Sequence, residues 1–263
     1  MPRLVRAVSL DRWLEAQEWE RSVWERAERR PGWRRLVWPL ASRVYSAVGI
    51  VREADDWNHW WATQFDEYSF LPADLGDFIE LGCGPYTNAR LILRGRSARR
   101  VVCSDPLART YATFRGRWLA EAYRRGKVEL DDHPIEELPL APASFDVVVV
   151  INVLDHVRDA DLCLRTSIGL LRPGGWLLLG QDLTVDEDAA RFPLDIGHPI
   201  RLRREDVDAH VRNLEPVLRK DLDRMAGRNP KAHYSTLVFS GKRSTAEERS
   251  SVHLGLRTEA SRR

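Results

Sequence analysis

The run FDVVVVI, residues 145–151, is the feature that most constrains the fold of this chain. It is nearly all apolar and lacks the polar alternation of a half-exposed strand. It therefore indicates a strand that is buried on both faces, as in a parallel sheet. Parallel strands need crossover connections, which are usually helices, so strands and helices should alternate along the chain.

Short apolar runs and longer amphipathic runs do alternate between residues 72 and 243. The predicted helices are 107–125, which stops at Gly126, and 159–171. The predicted strands are 77–81, 99–104, 127–130, 145–151 and 176–180, followed by 215–222 and 233–241 as an antiparallel pair with no helix between them. The sequence thus predicts an α/β fold, a doubly wound Rossmann-like sheet of seven strands with helices on both faces and an antiparallel last strand.

The N-terminal zone has a different composition, because residues 1–71 hold eight of the ten tryptophans. One face of a predicted helix carries Trp57, Trp60, Trp61, Phe65 and Tyr68. This face either packs on the α/β core or forms a lid over a substrate pocket, and one helix can do both. We divide the chain into an N-terminal helical cap (1–71), an α/β core (72–243) and a disordered tail (244–263).

Charge and cysteine content exclude several classes of protein. The net charge is +2, from 41 basic and 39 acidic residues, which disfavours a nucleic-acid partner. No signal peptide is evident, and the longest apolar run, 147–151, is too short to span a membrane. The three cysteines form neither a metal motif nor a disulfide framework. A cytoplasmic protein with no membrane partner and no bound metal is expected.

The stretch ELGCGPYTN, residues 80–88, follows the first predicted strand and is typical of a cofactor loop. Gly82 and Gly84 begin a G-x-G-x-x-G pattern, but Thr87 stands where the third glycine would be. Asp105 ends the second strand, where an acidic side chain can accept hydrogen bonds from both ribose hydroxyls. These residues alone fit a nicotinamide dinucleotide as well as other nucleotide cofactors.

Four segments in order resemble the class I S-adenosylmethionine-dependent methyltransferases: FIELGCGPYTN, the DDHPIEELP region, SFDVVVVINVLDHV and RPGGWLLLG. The resemblance covers residues 55–243 and implies S-adenosylmethionine as cofactor and S-adenosylhomocysteine as product. It implies that Glu80, Gly82 and Gly84 line the methionine half of the cofactor, and that Asp105 binds the ribose. Asp131 or Asp132, of which Asp132 is preferred, would meet the adenine amino group, and Asn152 would lie near the sulfonium.

Methyl transfer to a weakly acidic hydroxyl needs a general base. His156 follows the fourth strand and His198 lies in the long segment after the fifth, so both should reach the carboxyl edge of the sheet. These are the candidate catalytic residues. Asp155, Asp182 and Asp195 are candidates to orient them or to contact substrate.

The sequence therefore predicts an O-methyltransferase with a sugar-like or specialised-metabolite acceptor. N- or C-methylation, or another reaction that uses the same bound cofactor, remains open. Two further alternatives are a binding module with a tryptophan-rich partner surface and a nicotinamide oxidoreductase, which the missing third glycine disfavours. The oligomeric state and the identity of the acceptor do not follow from the sequence.

Overall fold

The computed structural model describes residues 6–29, 57–185, 196–227 and 234–245. Parts of the predicted cap (30–56) and tail (246–263), together with Asp195, lie outside the described residues. No helix in the described ranges is both long enough and apolar enough to cross a lipid bilayer.

Seven strands form one sheet in the order β3-β2-β1-β4-β5-β7-β6. The strands are β1 (Asp77–Leu81), β2 (Arg100–Ser104), β3 (Glu129–Asp131), β4 (Phe145–Ile151), β5 (Leu171–Leu183), β6 (Leu214–Leu222) and β7 (Ser235–Arg243). The first five pair in parallel, and β7 lies antiparallel between β5 and β6. The predicted doubly wound sheet is confirmed. The chain runs outward in both directions from neighbouring β1 and β4, which opens a crevice at their carboxyl ends.

The described helices are α1 (Leu10–Glu28), α2 (Trp57–Gln64), α3 (Ala89–Ile92), α4 (Ala108–Tyr111), α5 (Trp118–Arg124), α6 (Ala160–Leu170) and α7 (Arg204–Val211), with short 3-10 turns at 66–68 and 135–137. Helix α6 begins after Asp159, whose side chain accepts a hydrogen bond from the Leu162 amide. It agrees with the predicted helix 159–171.

The prediction of a single helix over residues 107–125 is wrong. The structure breaks it into α4 and α5, and Gly116 lies between them with a φ of +74°. A left-handed backbone is open to glycine at little cost and ends a right-handed helix. The amphipathic pattern continues through the break because both short helices pack on the same side of the sheet.

The tryptophan-rich helix packs on the core, as the first alternative for this face predicts. Trp61, Phe65 and Tyr68 are buried. The Trp61 ring lies on β5 at Gly180, where an added Cβ would come within 2.6 Å of the ring. The helix itself ends at Gln64, and three residues with positive φ, 66–68, turn the chain so that Tyr68 stacks on Phe65.

Strand β4 is buried on both faces, as its apolar run predicts. Val148 and Val150 belong to a core layer shared with α6 and α7, whereas Val147 and Val149 belong to the layer beneath α2. The central strands are therefore rigid supports, and the loops at their carboxyl ends are held in fixed positions relative to one another.

Candidate active site

A cavity of about 430 Å³ lies at the carboxyl ends of β1, β2 and β4. The loops after these strands line one side of it, and helix α1 lines the other. The residues from α1 include Trp13, Gln17, Trp19, Glu20, Val23 and Trp24. The volume lies in the range of cavities that hold a small molecule or a cofactor. The N-terminal segment therefore forms a wall of the site.

The two glycines of the loop after β1 have different roles. Gly82 has a φ of +66°, and an added Cβ would lie 2.5 Å from the Cγ atoms of Val153. Gly84 has a φ of +56°, but an added Cβ would meet nothing within 4 Å. Gly82 is thus required by close packing against the loop after β4, whereas Gly84 leaves space open along the cavity wall.

Glu80, which is buried at the end of β1, stabilises the conformation of the glycine loop. Its carboxylate accepts hydrogen bonds from the amides of Asn88 and Ala89 at 2.8 and 2.9 Å, and from the Thr87 hydroxyl. Burial raises the pKa of Glu80, and these donors oppose that rise. Glu80 is not among the residues that line the cavity, and its contact with the methionine half of a cofactor, which the resemblance implies, stays a prediction. Thr87 occupies the third-glycine position and closes the loop through its hydroxyl.

Asp105 connects the glycine loop to the end of β2. Its carboxylate accepts hydrogen bonds from the Gly84 amide at 3.1 Å and from the Leu107 amide at 2.8 Å. It lines the cavity and is 9% exposed. Burial, followed by the negative charge of Glu20, raises its pKa to about 7. The predicted ribose ligand is therefore in the cavity and also stabilises the turn that precedes α4.

In the segment after β3, the acidic side chain that lines the cavity is that of Glu136 rather than that of Asp132. Asp132 does not line the cavity, and its carboxylate pairs with Arg109 at 2.6 Å. Glu136 does line it, and its Oε1 accepts hydrogen bonds from the Arg158 and Asp159 amides at 2.7 and 2.9 Å. Its Oε2 is buried and has no hydrogen-bond partner among the described residues. The sequence pattern did not distinguish these acids, because the 3-10 turn at 135–137 decides which one faces inward.

Asn152 follows β4 and lines the cavity with a φ of +58°. Its backbone N–H donates to the Gly180 carbonyl at 2.7 Å, which fixes the start of the loop after β4. Asn152, which the resemblance places near the sulfonium of the cofactor, therefore has a backbone that is fixed by a hydrogen bond to β5.

His156 and His198 lie together at the cavity, as expected from their loops. Their ring centroids are 4.4 Å apart. Asp155 Oδ1 is 3.9 Å from His156 Nε2, and the Gln181 side chain donates to the same carboxylate oxygen at 3.2 Å. Burial raises the pKa of Asp155, but the neighbouring His156 and His198, together with the hydrogen bond from Gln181, outweigh burial and lower it. Asp182, the other described candidate, accepts a hydrogen bond from Thr236 instead.

The ligand atoms of Asp155, His156 and His198 all lie within 4.8 Å of one another. Two imidazoles and a carboxylate are a donor set that suits a divalent transition metal. The same three groups also suit proton transfer, with the carboxylate stabilising an imidazolium.

Sequence reasoning missed the residues that α1 brings to the site, above all Glu20. Trp13, Gln17, Glu20 and Trp24 follow the spacing of one helix face, which was the available signal. Trp13 is buried, as is Trp61 from α2. Their burial disfavours a partner surface built from these two side chains, whereas Trp19 is 38% exposed.

Among the described residues, the cavity wall carries carboxylates and two histidines but no lysine or arginine. Glu20, Asp105 and Glu136 line it, and neither lysine nor arginine does. The chain has 41 basic residues in total, so their absence from this wall disfavours a strongly anionic ligand.

Comparison with known proteins agrees with this geometry. Residues 79–179 match a family model described as a methyltransferase domain. A probable S-adenosylmethionine-dependent methyltransferase from Mycolicibacterium smegmatis is 37% identical over 103 residues, which are 39% of this chain and 37% of that protein. The 27-O-demethylrifamycin SV methyltransferase from Amycolatopsis mediterranei is 29% identical over 170 residues, 58% of this chain and 59% of that protein. The chain thus matches less than two thirds of the length of either relative.

Among solved structures, a Burkholderia thailandensis 1,6-didemethyltoxoflavin-N1-methyltransferase with bound S-adenosylhomocysteine superposes with a TM-score of 0.55. The match covers 93% of this chain and 94% of that one at 18% identity, which is a likeness of fold. The matched family segment contains Gly82, Gly84, Asp105 and Asn152 at the cavity. Residues 79–179 of the chain therefore match a methyltransferase domain, and the relatives and structures that the chain resembles are methyltransferases that use S-adenosylmethionine.

Proposed function

We propose that this protein transfers a methyl group from S-adenosylmethionine to a hydroxyl oxygen of a sugar-like or specialised-metabolite acceptor in the cytoplasm. The observation that carries the proposal is one shared cavity. The glycine loop and Asp105 border it on one side, and the paired rings of His156 and His198 border it on another. A cofactor and a general base would thus serve the same enclosed space.

The polar groups of the wall fit the cofactor. Asp105 offers a carboxylate at the end of β2 for ribose hydroxyls, and the open space beside Gly84 lets a ligand approach the backbone. Asn88 Oδ1 and Glu136 Oε2 are buried acceptors with no donor among the described residues. Because a buried acceptor is costly without a donor, ligand amino groups at these two positions would stabilise the site. We infer that Glu136 receives the adenine amino group.

When bound, the cofactor supplies an electrophilic methyl group whose sulfur leaves without charge. The protein then has to align the acceptor with that methyl group, exclude water and remove one proton. His156 is the better placed base, because Asp155 at its Nε2 would stabilise the imidazolium that forms. His198 lies against the ring and restricts its orientation.

The choice of oxygen rests on this base and on the name of the rifamycin relative, which specifies an O-demethyl substrate. An amine is largely nucleophilic once it is deprotonated in solution, whereas an alcohol needs a base within reach. A free small molecule is preferred over nucleic acid, because no described lysine or arginine lines the cavity to meet phosphates.

The first test is calorimetric titration of the protein with S-adenosylmethionine and with NAD. The second is transfer of labelled methyl to a panel of paired acceptors that differ only in a hydroxyl or an amine at one position. We expect binding of S-adenosylmethionine, labelling of hydroxyl acceptors, and a loss of roughly 10²–10⁴ in kcat for His156→Ala. Labelling of amines alone would overturn the assignment to oxygen, and product without label would indicate a different reaction.

A further inference from the structure

Helix α1 is tied to the loop that carries His156. Trp13 Nε1 donates to the His156 carbonyl at 3.1 Å, and Gln17 Nε2 reaches the same oxygen at 3.5 Å. Just before α1, Ala7 pairs with Asp159 in an isolated antiparallel bridge, and the Val8 amide donates to the Arg158 carbonyl. The start of the helix is therefore fixed against the segment after β4.

The same helix is tied to the segment that carries His198. Arg12 donates to the Ile196 carbonyl at 3.0 Å. Trp19 lies on Gly197 so closely that an added Cβ would come within 2.4 Å of the indole ring. Helix α1 thus contacts the backbone on both sides of the histidine pair.

Glu20 is the acid that α1 places inside the site. Its Oε1 accepts hydrogen bonds from Tyr111 Oη at 3.1 Å and from Trp24 Nε1 at 3.3 Å, and these two donors hold the side chain in one orientation. Its Oε2 lies 3.7 Å from His156 Nδ1. That nitrogen is buried and has no hydrogen-bond partner in the described part of the chain.

His156 therefore lies between two carboxylates, with Glu20 near Nδ1 and Asp155 near Nε2 at 3.9 Å. A neutral imidazole carries one proton, and the partner of one nitrogen decides which nitrogen remains a base. Nδ1 makes no hydrogen bond with the described residues, and a shift of less than about 1 Å would bring it to hydrogen-bonding distance of Glu20.

We propose that Glu20 is a positioning residue: it accepts a hydrogen bond from the protonated Nδ1 of His156 and leaves Nε2 free to take the proton of the acceptor hydroxyl. The inference rests on the proposed function for its chemistry. In the step itself, the O–H bond of the acceptor would break and its proton would go to Nε2. The oxygen would form a bond to the methyl carbon as the bond from that carbon to the sulfonium sulfur breaks, which releases S-adenosylhomocysteine. The N-terminal helix then belongs to the catalytic apparatus as well as to the wall of the cavity.

The tautomer of His156 can be measured without an acceptor. Long-range ¹H–¹⁵N correlation spectra of the full-length protein, saturated with S-adenosylhomocysteine, separate a protonated Nδ1 from a protonated Nε2, and His156→Gln assigns the signals. We expect a protonated Nδ1 in the natural protein and a shift toward a protonated Nε2 in Glu20→Met, which lacks a strong acceptor. Glu20→Gln, whose amide oxygen can still accept, should retain the natural tautomer.

The control is Glu18→Met, because Glu18 lies on the same helix with its side chain 71% exposed and should leave the spectrum unchanged. If Glu20→Met does not fold, Glu20→Ala takes its place. An unchanged His156 tautomer in folded Glu20→Met or Glu20→Ala would overturn the proposal, whether or not the protein transfers methyl groups.

Once an acceptor is known, Glu20→Met should lower kcat by roughly 10–100-fold, part of what a general base supplies, with KM little changed. A shifted tautomer with no methyl transfer to any acceptor would support Glu20 and contradict the proposed function. The two ideas can therefore fail separately.

Discussion

Asp105 Oδ2 accepts a hydrogen bond from the Gly84 amide at 3.1 Å, and this contact joins the end of one strand to the glycine loop of its neighbour. The second oxygen of the same carboxylate accepts from the Leu107 amide. One side chain thus sets the shape of the loop and lines the cavity. Its substitution should affect both ligand binding and the pH dependence of stability.

The first prediction concerns the affinity for cofactor. Asp105→Ala removes the acceptor at the ribose position and should weaken S-adenosylmethionine binding by roughly 1–3 kcal/mol, which is about 5–150-fold in Kd. The measurement is isothermal titration calorimetry. Asp132→Ala is the control, because Asp132 pairs with Arg109 outside the cavity wall and should leave Kd unchanged. An equal loss in Asp132→Ala would restore that residue as a cofactor ligand.

The second prediction follows from the pKa of Asp105, which burial and Glu20 raise from 3.8 to about 7. Between these values the folded protein keeps a proton that the unfolded chain releases, so the free energy of unfolding falls as pH rises through this window. Asp105→Asn has no such proton. Relative to the natural protein without ligand, its free energy of unfolding should rise by roughly 2–4 kcal/mol across the window.

Urea denaturation at about pH 4.5 and about pH 7.5 measures this difference. The asparagine loses one acceptor, so the absolute values of the two proteins differ at either pH. The prediction concerns only the change between them. A difference that is independent of pH would contradict the raised pKa.

The third prediction separates the two glycines. Gly82→Ala combines a φ of +66° with an approach of 2.5 Å to Val153, and should lower the free energy of unfolding by roughly 2–4 kcal/mol. Gly84→Ala, which has a positive φ and no clash, should cost roughly 1 kcal/mol of stability. Thermal denaturation and calorimetry together should show a mainly unstable Gly82 variant and a folded Gly84 variant that binds cofactor poorly.

The fourth prediction tests the acid that faces the adenine position. Glu136→Gln keeps an acceptor for the amides at the start of α6 and removes the charge at the buried Oε2. It should weaken S-adenosylmethionine binding by roughly 1–2 kcal/mol. Glu137→Gln is the matched control, since Glu137 is exposed and pairs with Arg158. If only the Glu137 variant loses affinity, the assignment of Glu136 is wrong.

The fifth prediction concerns metal. If His156 acts as a base, its Nε2 must be free, so dialysis against EDTA should leave methyl transfer unchanged and the purified protein should contain no stoichiometric transition metal. Loss of activity on chelation, restored by a divalent cation, would instead identify Asp155, His156 and His198 as a metal centre.

The sequence predicted the sheet and most of the cavity residues because their signals are local. A run such as 145–151 must be buried on both faces, and the ends of parallel strands meet at one edge of the sheet, so Asp105 and Asn152 could be placed from strand ends alone. The two histidines followed from the same argument. Thr87 departs from the three-glycine pattern of a dinucleotide loop. The hydrogen bond from its hydroxyl to Glu80 depends on the conformation of the loop, which residue spacing does not reveal.

The residues that could not be predicted depend on tertiary contacts. Glu20 comes from a helix distant in sequence from the strand ends, and its place in the cavity is set by contacts of Trp13 and Trp19 with other segments. The inward direction of Glu136 depends on a single 3-10 turn. The break in the predicted helix 107–125 depends on the left-handed backbone of Gly116, which competes with a continuous amphipathic pattern.

Helix α1 lies outside the matched family segment 79–179, whereas Gly82, Gly84, Asp105 and Asn152 lie within it. The wall of the cavity that α1 forms is therefore encoded separately from the loops that carry Gly82, Gly84, Asp105 and Asn152. Such a layout is modular: the cavity-facing side chains of residues 10–28 other than Glu20 can diversify while the cofactor loop stays unchanged. Substitutions confined to those positions would alter the shape of the cavity and leave the proposed cofactor ligands in place.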